Sequence, residues 1–156
     1  MSVTGGDFEG FYLSGVYRPD AGVQQDNAEC YISGGRFNEV AGAAQQMIDG
    51  DVHWQIYNAD ITNFYGGGLN AAKPITGDIT VDITNSYVET YCGGPKFGDM
   101  QKSGTTFTTK YSTNQAGSST GTYSKAITKD GKVTTNATGC EFNKFFGAGY
   151  GGTSYS

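Results

Sequence analysis

The sequence predicts an all-β domain built from one short repeated motif, and three observations favour this fold. Apolar residues alternate along several segments, as they do in strands with one buried face. Only two leucines occur, whereas glycine, threonine and tyrosine are abundant. The motif recurs about every 24 to 28 residues, at the anchors Val16, Val40, Phe64, Tyr91, Ser119 and Phe145. We therefore expect a single-domain parallel β-solenoid, or β-helix, of about six coils.

Each copy of the motif is predicted to open with a strand. The segment Ile79, Val81, Ile83 places its apolar side chains on one face and Thr80 and Asp82 on the other. Two residues beyond this strand, five of the copies have a glycine or an asparagine, the residues that most easily adopt a positive φ. This column predicts a left-handed bend at Gly10, Gly34, Asn58, Asn85 and Gly139.

A second strand follows the bend and ends at a glycine corner. Its inward column is predicted to be Leu13, Phe37, Ile61, Val88 and Phe142, and its corners are Gly42, Gly66, Gly93 and Gly147. The residues expected to be almost fully buried are Ile56, Ile61, Phe64, Ile83 and Val88. Length varies only after the corners, so loops 18–27, 69–76 and 95–103 are expected along one edge of the stack.

The fifth copy, in residues 107–132, matches the motif poorly. Phe107, Thr109 and Tyr111 suit a strand, but residues 114–122 are polar and offer little core. Asp130-Gly131 is in addition a two-residue hairpin signal. A protruding hairpin or long loop therefore competes with a regular coil here, and the handedness of the stack also stays open.

Composition limits the function. The chain has 156 residues, enough for one domain, and a formal net charge of −5. Ten basic residues without a basic cluster argue against nucleic acid as a partner. No apolar run is long enough for direct membrane insertion, the first residues lack the pattern of a signal peptide, and no cofactor or metal motif is present. We expect the domain to be an excised part of a longer protein.

Three glycine-rich strings carry a family resemblance. They are Asn63-Phe64-Tyr65-Gly66-Gly67-Gly68, Tyr91-Cys92-Gly93-Gly94-Pro95-Lys96-Phe97-Gly98-Asp99 and Phe145-Phe146-Gly147-Ala148-Gly149-Tyr150-Gly151-Gly152-Thr153-Ser154. They resemble the glycine-rich repeats of large surface or secreted proteins of gut Bacteroidota. The resemblance implies an extracellular or cell-surface location and a larger parent protein, and it implies no catalytic residues.

The favoured function is a non-enzymatic repeat module for adhesion, for binding a glycan or a surface protein, or for rigid spacing. Loops of variable length with polar and aromatic groups are the expected binding site, together with one charged pair on a strand face. The candidate binding residues are Asn70, Lys73, Lys96, Phe97, Asp99, Arg36 and Asp60.

Two other functions remain open. A carbohydrate-active enzyme, either a polysaccharide lyase or a glycosidase, would use the same charged residues, or Asp60 with Glu89 or Asp82 as a carboxylate pair. A self-assembling element would instead use unpaired strands at the ends of the stack.

Two further features have a structural and a functional interpretation. His53 is predicted to face outward beside Glu29, either as a ladder pair exposed to solvent or as an acid/base pair. Cys30, Cys92 and Cys140 occupy different columns, which predicts three small apolar side chains or at most one disulfide.

Overall fold

The computed structural model describes residues 1–14, 23–44, 46–70, 75–97, 100–112 and 120–150. These residues contain no helix, and therefore none that could cross a membrane. They form strands throughout, separated by bends and turns. The strands are β1 (Ser2–Thr4), β2 (Asp7–Tyr12), β3 (Val23–Gln25), β4 (Ala28–Ser33), β5 (Arg36–Ala43), β6 (Met47–Asp49), β7 (Val52–Tyr57), β8 (Asp60–Gly68), β9 (Ile79–Thr84), β10 (Tyr87–Cys92), β11 (Thr106–Ser112), β12 (Thr120–Ala126), β13 (Val133–Thr138) and β14 (Glu141–Phe146).

Ten of these strands form two parallel sheets of five. Sheet A has the order β1, β4, β7, β9, β13, and sheet B has the order β2, β5, β8, β10, β14. Two smaller sheets complete the described fold: β3 pairs with β6 in parallel, and β11 pairs with β12 antiparallel. The fold is therefore all-β, as expected.

The two large sheets pack against each other around one core. Inward side chains of both sheets are buried in the inner strands, and Trp54 of sheet A meets Phe64 of sheet B edge to face at 5.3 Å. Phe64 then stacks on Tyr91, which stacks on Phe145. The residues predicted to be buried have no exposed surface, which confirms that prediction: Ile56, Ile61, Phe64, Ile83 and Val88.

The prediction of a six-coil parallel β-solenoid is wrong. The described chain is a domain of two packed five-stranded sheets, and the segment predicted as the fifth copy belongs to neither. That segment forms the antiparallel hairpin β11–β12. Its sequence has no continuous apolar row with which to extend the core, and pairing two segments close in sequence requires little loop-closure entropy.

The edge predicted to carry only corner loops also differs. Part of the predicted loop 18–27 is strand β3, which pairs with β6 as a third parallel sheet. Asp130-Gly131 is not the hairpin turn that its dipeptide suggests. The Gly131 amide instead donates to the Gln101 carbonyl, and the Asp130 carboxylate accepts from the Ser103 amide.

The left-handed bends are confirmed at four of the five predicted positions. Asn58 and Asn85 have φ of 52° and 49°, and Gly34 and Gly139 have φ of 77° and 62°. Gly10 was the wrong residue for the first copy, because Gly5, with φ of 72°, occupies that bend. The first copy therefore starts five residues earlier than predicted, and Phe8 rather than Leu13 lies beside Phe37.

The predicted anchor residues are aligned in the register of sheet B, again with a different residue for the first copy. Val40, Phe64, Tyr91 and Phe145 are neighbours across sheet B, and Phe11 stands beside Val40. Val16 and Ser119 lie outside the described residues.

The glycine corners are places of close backbone approach. A Cβ atom on Gly66 would lie 2.3 Å from the Gly93 carbonyl oxygen, and one on Gly93 would lie 2.7 Å from the Gly147 carbonyl oxygen. The Trp54 indole donates to the Gly66 carbonyl at 3.1 Å. Packing alone therefore accounts for glycine in this column, without a ligand.

Candidate functional site

An open groove of about 430 Å³ crosses the outer face of sheet B. It lies over the first residues of the neighbouring strands β2, β5 and β8, where the parallel register aligns them. Five of its six lining residues are polar, and the full set is Asp7, Phe8, Glu9, Arg36, Asn38 and Thr62. We call this set the sheet groove.

Arg36 is the central cation of the sheet groove. In the register it stands between Asp7 on β2 and Asp60 on β8. Its Nε lies 3.5 Å from Oδ2 of Asp60, and the Arg36 side chain is 72% exposed. The predicted pairing of Arg36 with Asp60 is therefore confirmed. An ion pair this exposed contributes little stability, and the exposed Arg36 side chain is accessible to a ligand.

A second polar pair lies next to Arg36. The Asn38 side-chain amide donates to Oε1 of Glu9 at 3.0 Å, between strands β5 and β2. Both side chains are exposed. The sheet groove therefore presents carboxylates, an amide and a guanidinium side by side on a flat surface.

A second cluster lies at the other end of the same sheet face. The ammonium of Lys96 is 3.2 Å from Oε2 of Glu39 and lies over the ring of Tyr65, 5.1 Å from its centroid. Phe97 flanks the same ammonium at 5.8 Å and is 46% exposed. We call Tyr12, Glu39, Tyr65, Lys96 and Phe97 the loop cluster. It fixes a cation and an exposed aromatic ring above the sheet.

Glu39 connects the loop cluster to strand β2. Its Oε1 accepts a hydrogen bond from the Tyr12 hydroxyl at 2.8 Å, while its other oxygen meets Lys96. Burial, together with this hydrogen bond, raises the pKa of Tyr12 to about 12. The Tyr12 hydroxyl therefore stays a neutral donor near neutral pH.

Two members of the loop cluster, Tyr12 and Tyr65, also belong to a small apolar patch on the outside of sheet B. Tyr12, Ala41, Tyr65, Cys92 and Phe146 follow one column of the register. Burial raises the pKa of the Cys92 thiol to about 11, so this thiol is a packed apolar group and not a nucleophile.

The sheet groove and the loop cluster are adjacent. Asn38 belongs to the groove and Glu39, the next residue of β5, belongs to the cluster. From Arg36 to Ala41 the strand rises by about 16 Å. One continuous polar and aromatic surface therefore runs along the outer face of sheet B.

The structure brings four of the seven predicted binding residues to this face. Arg36 and Asp60 meet at the sheet groove, and Lys96 and Phe97 meet in the loop cluster. Asn70 follows the end of β8. Lys73 and Asp99 lie outside the described residues, as do parts of the predicted loops 18–27, 69–76 and 95–103.

Sequence reasoning missed Asp7 and Glu9, because it started the first copy too late. The signal was present: Gly5-Gly6-Asp7-Phe8 has the same pattern as Gly34-Gly35-Arg36-Phe37. Aligning these two strings would have placed β2 beside β5 and its carboxylates beside Arg36.

His53 faces outward on sheet A, as predicted, but its partner differs. Glu29 is its neighbour in the register, yet Nε2 of His53 lies 2.6 Å from Oδ2 of Asp82. The other oxygen of Asp82 accepts from Asn136. The hydrogen bonds from Asn136 and His53 lower the pKa of Asp82. A pair of His53 with Glu29 is therefore not formed.

Asp60 and Asp82 cannot act as a carboxylate pair, because Asp60 lies on sheet B and Asp82 on sheet A. Glu89 accepts hydrogen bonds from Tyr87 and Asn143.

The three cysteines are free, with Cys30 and Cys92 buried. Among the described residues, no group of three or more His, Cys, Asp or Glu side chains is placed to hold a metal ion.

Comparison with known proteins adds no relative. No family model, curated protein or solved structure matches this chain.

Proposed function

We propose that this protein is a non-catalytic binding module that holds a neutral glycan along the outer face of sheet B. The observation that supports the proposal is the sheet groove, in which the exposed Arg36 side chain stands in register between Asp7 and Asp60. The centre of this site lies on the strand face and not on the corner loops.

The chemistry of the sheet groove suits hydroxyl groups. Asp7 and Glu9 only accept hydrogen bonds, Arg36 only donates, and the Asn38 amide and Thr62 hydroxyl do both. A ligand group that satisfies all of these neighbours must itself be both donor and acceptor, as a sugar hydroxyl is. Phe8 also lines the groove, but its ring stacks on Phe37 at the edge of the core.

The charge balance favours a neutral ligand. The sheet groove has carboxylates at Asp7 and Glu9 and its only lining cation at Arg36, which Asp60 partly neutralises. A uronate would meet more negative than positive charge there. For the same reason, a polysaccharide lyase that must neutralise a uronate is the weaker function for this site.

The loop cluster extends the site. Phe97 is an exposed aromatic ring held beside Lys96 at the far end of the same face. Such a ring can stack on a further sugar unit. An extracellular or cell-surface location is proposed together with this function, on the resemblance of the glycine-rich strings to Bacteroidota surface repeats.

A glycan-array screen followed by titration of any hit tests the proposal. In Arg36→Gln the charge is removed while hydrogen-bonding capacity is kept. A hydrogen bond to a charged group typically contributes about 1.5–3 kcal/mol, so we expect this variant to weaken binding about tenfold or more. Phe97→Ala should weaken binding of long oligosaccharides more than of short ones.

Lys102→Gln is the matched control, since it makes the same charge change at an exposed position that does not line the groove. This control should bind with the affinity of the unsubstituted protein.

Equal affinity of the unsubstituted protein and Arg36→Gln would contradict the proposed site. Release of shortened sugars from a bound glycan would replace the binding module with the enzyme hypothesis.

A further inference from the structure

The described fold ends at two unpaired sheet edges. Strands β1 and β2 form one edge of the two large sheets, and β13 and β14 form the other. Side chains that are buried in the inner strands become accessible there: Phe145 is 51% exposed, whereas its neighbour Tyr91 is fully buried. Phe8, Phe11 and Phe142 are likewise only partly buried.

The backbone hydrogen bonds of sheet A form a row that stops at each edge. Gly5 N–H donates to Ser33, Gly34 to Tyr57, Asn58 to Thr84 and Asn85 to Thr138, at 2.7–3.1 Å. The next donor in this row is Gly139 N–H, on the β13 edge. The acceptor that begins the row is the Thr4 carbonyl, on the β1 edge. Donor and acceptor of one row are therefore presented at opposite ends.

Sheet B repeats this arrangement with the opposite polarity. Arg36 N–H donates to Gly6, Asp60 to Gly35, Tyr87 to Ala59 and Glu141 to Ser86, at 2.8–3.0 Å. By the same pattern, the Asp7 N–H on the β2 edge and the Cys140 carbonyl before the β14 edge are the donor and acceptor at the two ends of this row. Unpaired edges of this kind are templates for further strands.

We propose that the β13–β14 edge binds the β1–β2 edge of a second copy of this chain, head to tail. In that register Gly139 N–H meets the Thr4 carbonyl, and Asp7 N–H meets the Cys140 carbonyl. Phe142 comes beside Phe8, and Phe145 comes beside Phe11, which continues the aromatic stack of Phe64, Tyr91 and Phe145. This inference does not rest on the glycan ligand.

Charge complementarity selects the second copy as the partner. The register places Lys144 beside Gly10, which has no side chain, and next to Glu9. Asn143 comes beside Glu9, the same pairing that Asn38 makes with Glu9 within one copy. Among the described strand residues of this register, Glu141 beside Asp7 is an opposing pair, and Arg36, the neighbour of Asp7, offsets it.

The interface is heterologous, because the two surfaces differ. Each added copy presents the same free edge again, so the assembly grows as an open filament and does not close as a twofold dimer. Five strands per copy at about 4.8 Å give a repeat of about 24 Å along the filament.

A charge-swap experiment tests this register. The parent, Glu9→Lys, Lys144→Glu and the double variant are compared by sedimentation velocity over a range of concentrations and by negative-stain electron microscopy. We expect the unsubstituted protein to grow with concentration and each single variant to grow only at higher concentration, because each opposes like charges. The double variant, and an equimolar mixture of the two single variants, should grow again.

Lys102→Glu is the control for the charge change, and circular dichroism checks that each variant is folded. A parent that stays monomeric at every concentration overturns the proposal. The proposal is also overturned if Glu9→Lys and Lys144→Glu assemble as the unsubstituted protein does. It is overturned as well if the unsubstituted protein stops at a closed dimer. Growth without glycan binding leaves this inference standing while the proposed function fails, so the two are separable.

Discussion

At the residue scale, two asparagines hold backbone conformations that few residues tolerate. Asn58 and Asn85 have φ of 52° and 49°, and they share one column with the bend glycines Gly5, Gly34 and Gly139. The left-handed region costs an ordinary L-residue about 1–2 kcal/mol. Asparagine and glycine avoid most of this cost, which explains why the column uses only these two types.

This argument makes a prediction for Asn58. Asn58→Ala should lower the free energy of unfolding by about 1 kcal/mol, because alanine is strained at positive φ. Asn58→Gly should be close to neutral, because glycine adopts this φ without strain. Urea unfolding of the three proteins measures both effects. Equal losses in the two variants would show that the Asn58 side chain, and not its backbone conformation, stabilises the bend.

At the element scale, charged groups attach the described part of the hairpin β11–β12 to the rest of the fold. Tyr123 donates to the Asp49 carboxylate, and Nζ of Lys125 lies 3.4 Å from the other oxygen of Asp49. Lys129, just after the hairpin, donates to Asp78 at 3.0 Å. Ile127, the residue after β12, is buried, with 4% of its surface exposed.

Protonation of these carboxylates should loosen the hairpin. Burial raises the pKa of Asp49, but hydrogen bonds from Tyr123 and Thr76 and the charge of Lys125 outweigh it, so the pKa lies below the ordinary 3.8. Asp78 is lowered similarly, where burial is outweighed by the hydrogen bonds from Lys129 and the Lys132 amide. A carboxylate whose pKa is lowered by folding stabilises the fold at pH values above its unfolded pKa. This stabilisation is lost as the pH falls through the folded pKa.

We therefore expect the melting temperature of the unsubstituted protein to decrease as the pH falls through and below 3.8, the ordinary carboxyl pKa. Asp49→Asn should show a shallower slope, since it lacks one of the responsible carboxylates. Asp26→Asn, at an exposed carboxylate, is the control and should follow the parent. Thermal unfolding by circular dichroism across this pH range makes the comparison. Identical slopes for Asp49→Asn and the parent would exclude Asp49 as an acid-sensitive attachment.

At the scale of the whole molecule, one core joins the two large sheets. Ile83 is fully buried, as are its register neighbour Ile56 and the next residue in that row, Ile32. Ala137, the next neighbour, lies on the exposed edge strand. The core is therefore densest in the middle strands and opens towards the sheet edges.

Ile83→Asp should unfold the domain, because an unpaired buried charge costs about 3–5 kcal/mol or more, a large fraction of the stability of a typical domain. Thr84→Asp is the matched control, one residue further on the same strand and facing outward. It should melt near the parent temperature. Differential scanning calorimetry distinguishes the two, and a cooperative, parent-like transition for Ile83→Asp would mean that position 83 does not face the core.

The sequence alone predicted the strands and the buried residues well where the repeat was strong. Ile83 and Val88 lie in segments whose alternation or spacing shows which side chains face inward, and Asn58 belongs to a column of two residue types. These are local properties: a strand period of two and a positive φ are set by neighbouring residues. They can therefore be inferred before the chain is folded.

The tertiary structure decided the rest. The groove at Arg36 needs three strands that are distant in sequence, and its carboxylates Asp7 and Glu9 become neighbours only through the parallel register. The hairpin β11–β12 left the predicted stack because antiparallel pairing satisfied its backbone without a buried face. Side-chain periodicity thus determined which residues turn inward, whereas competition between strand partners determined the sheets, the groove and the free edges.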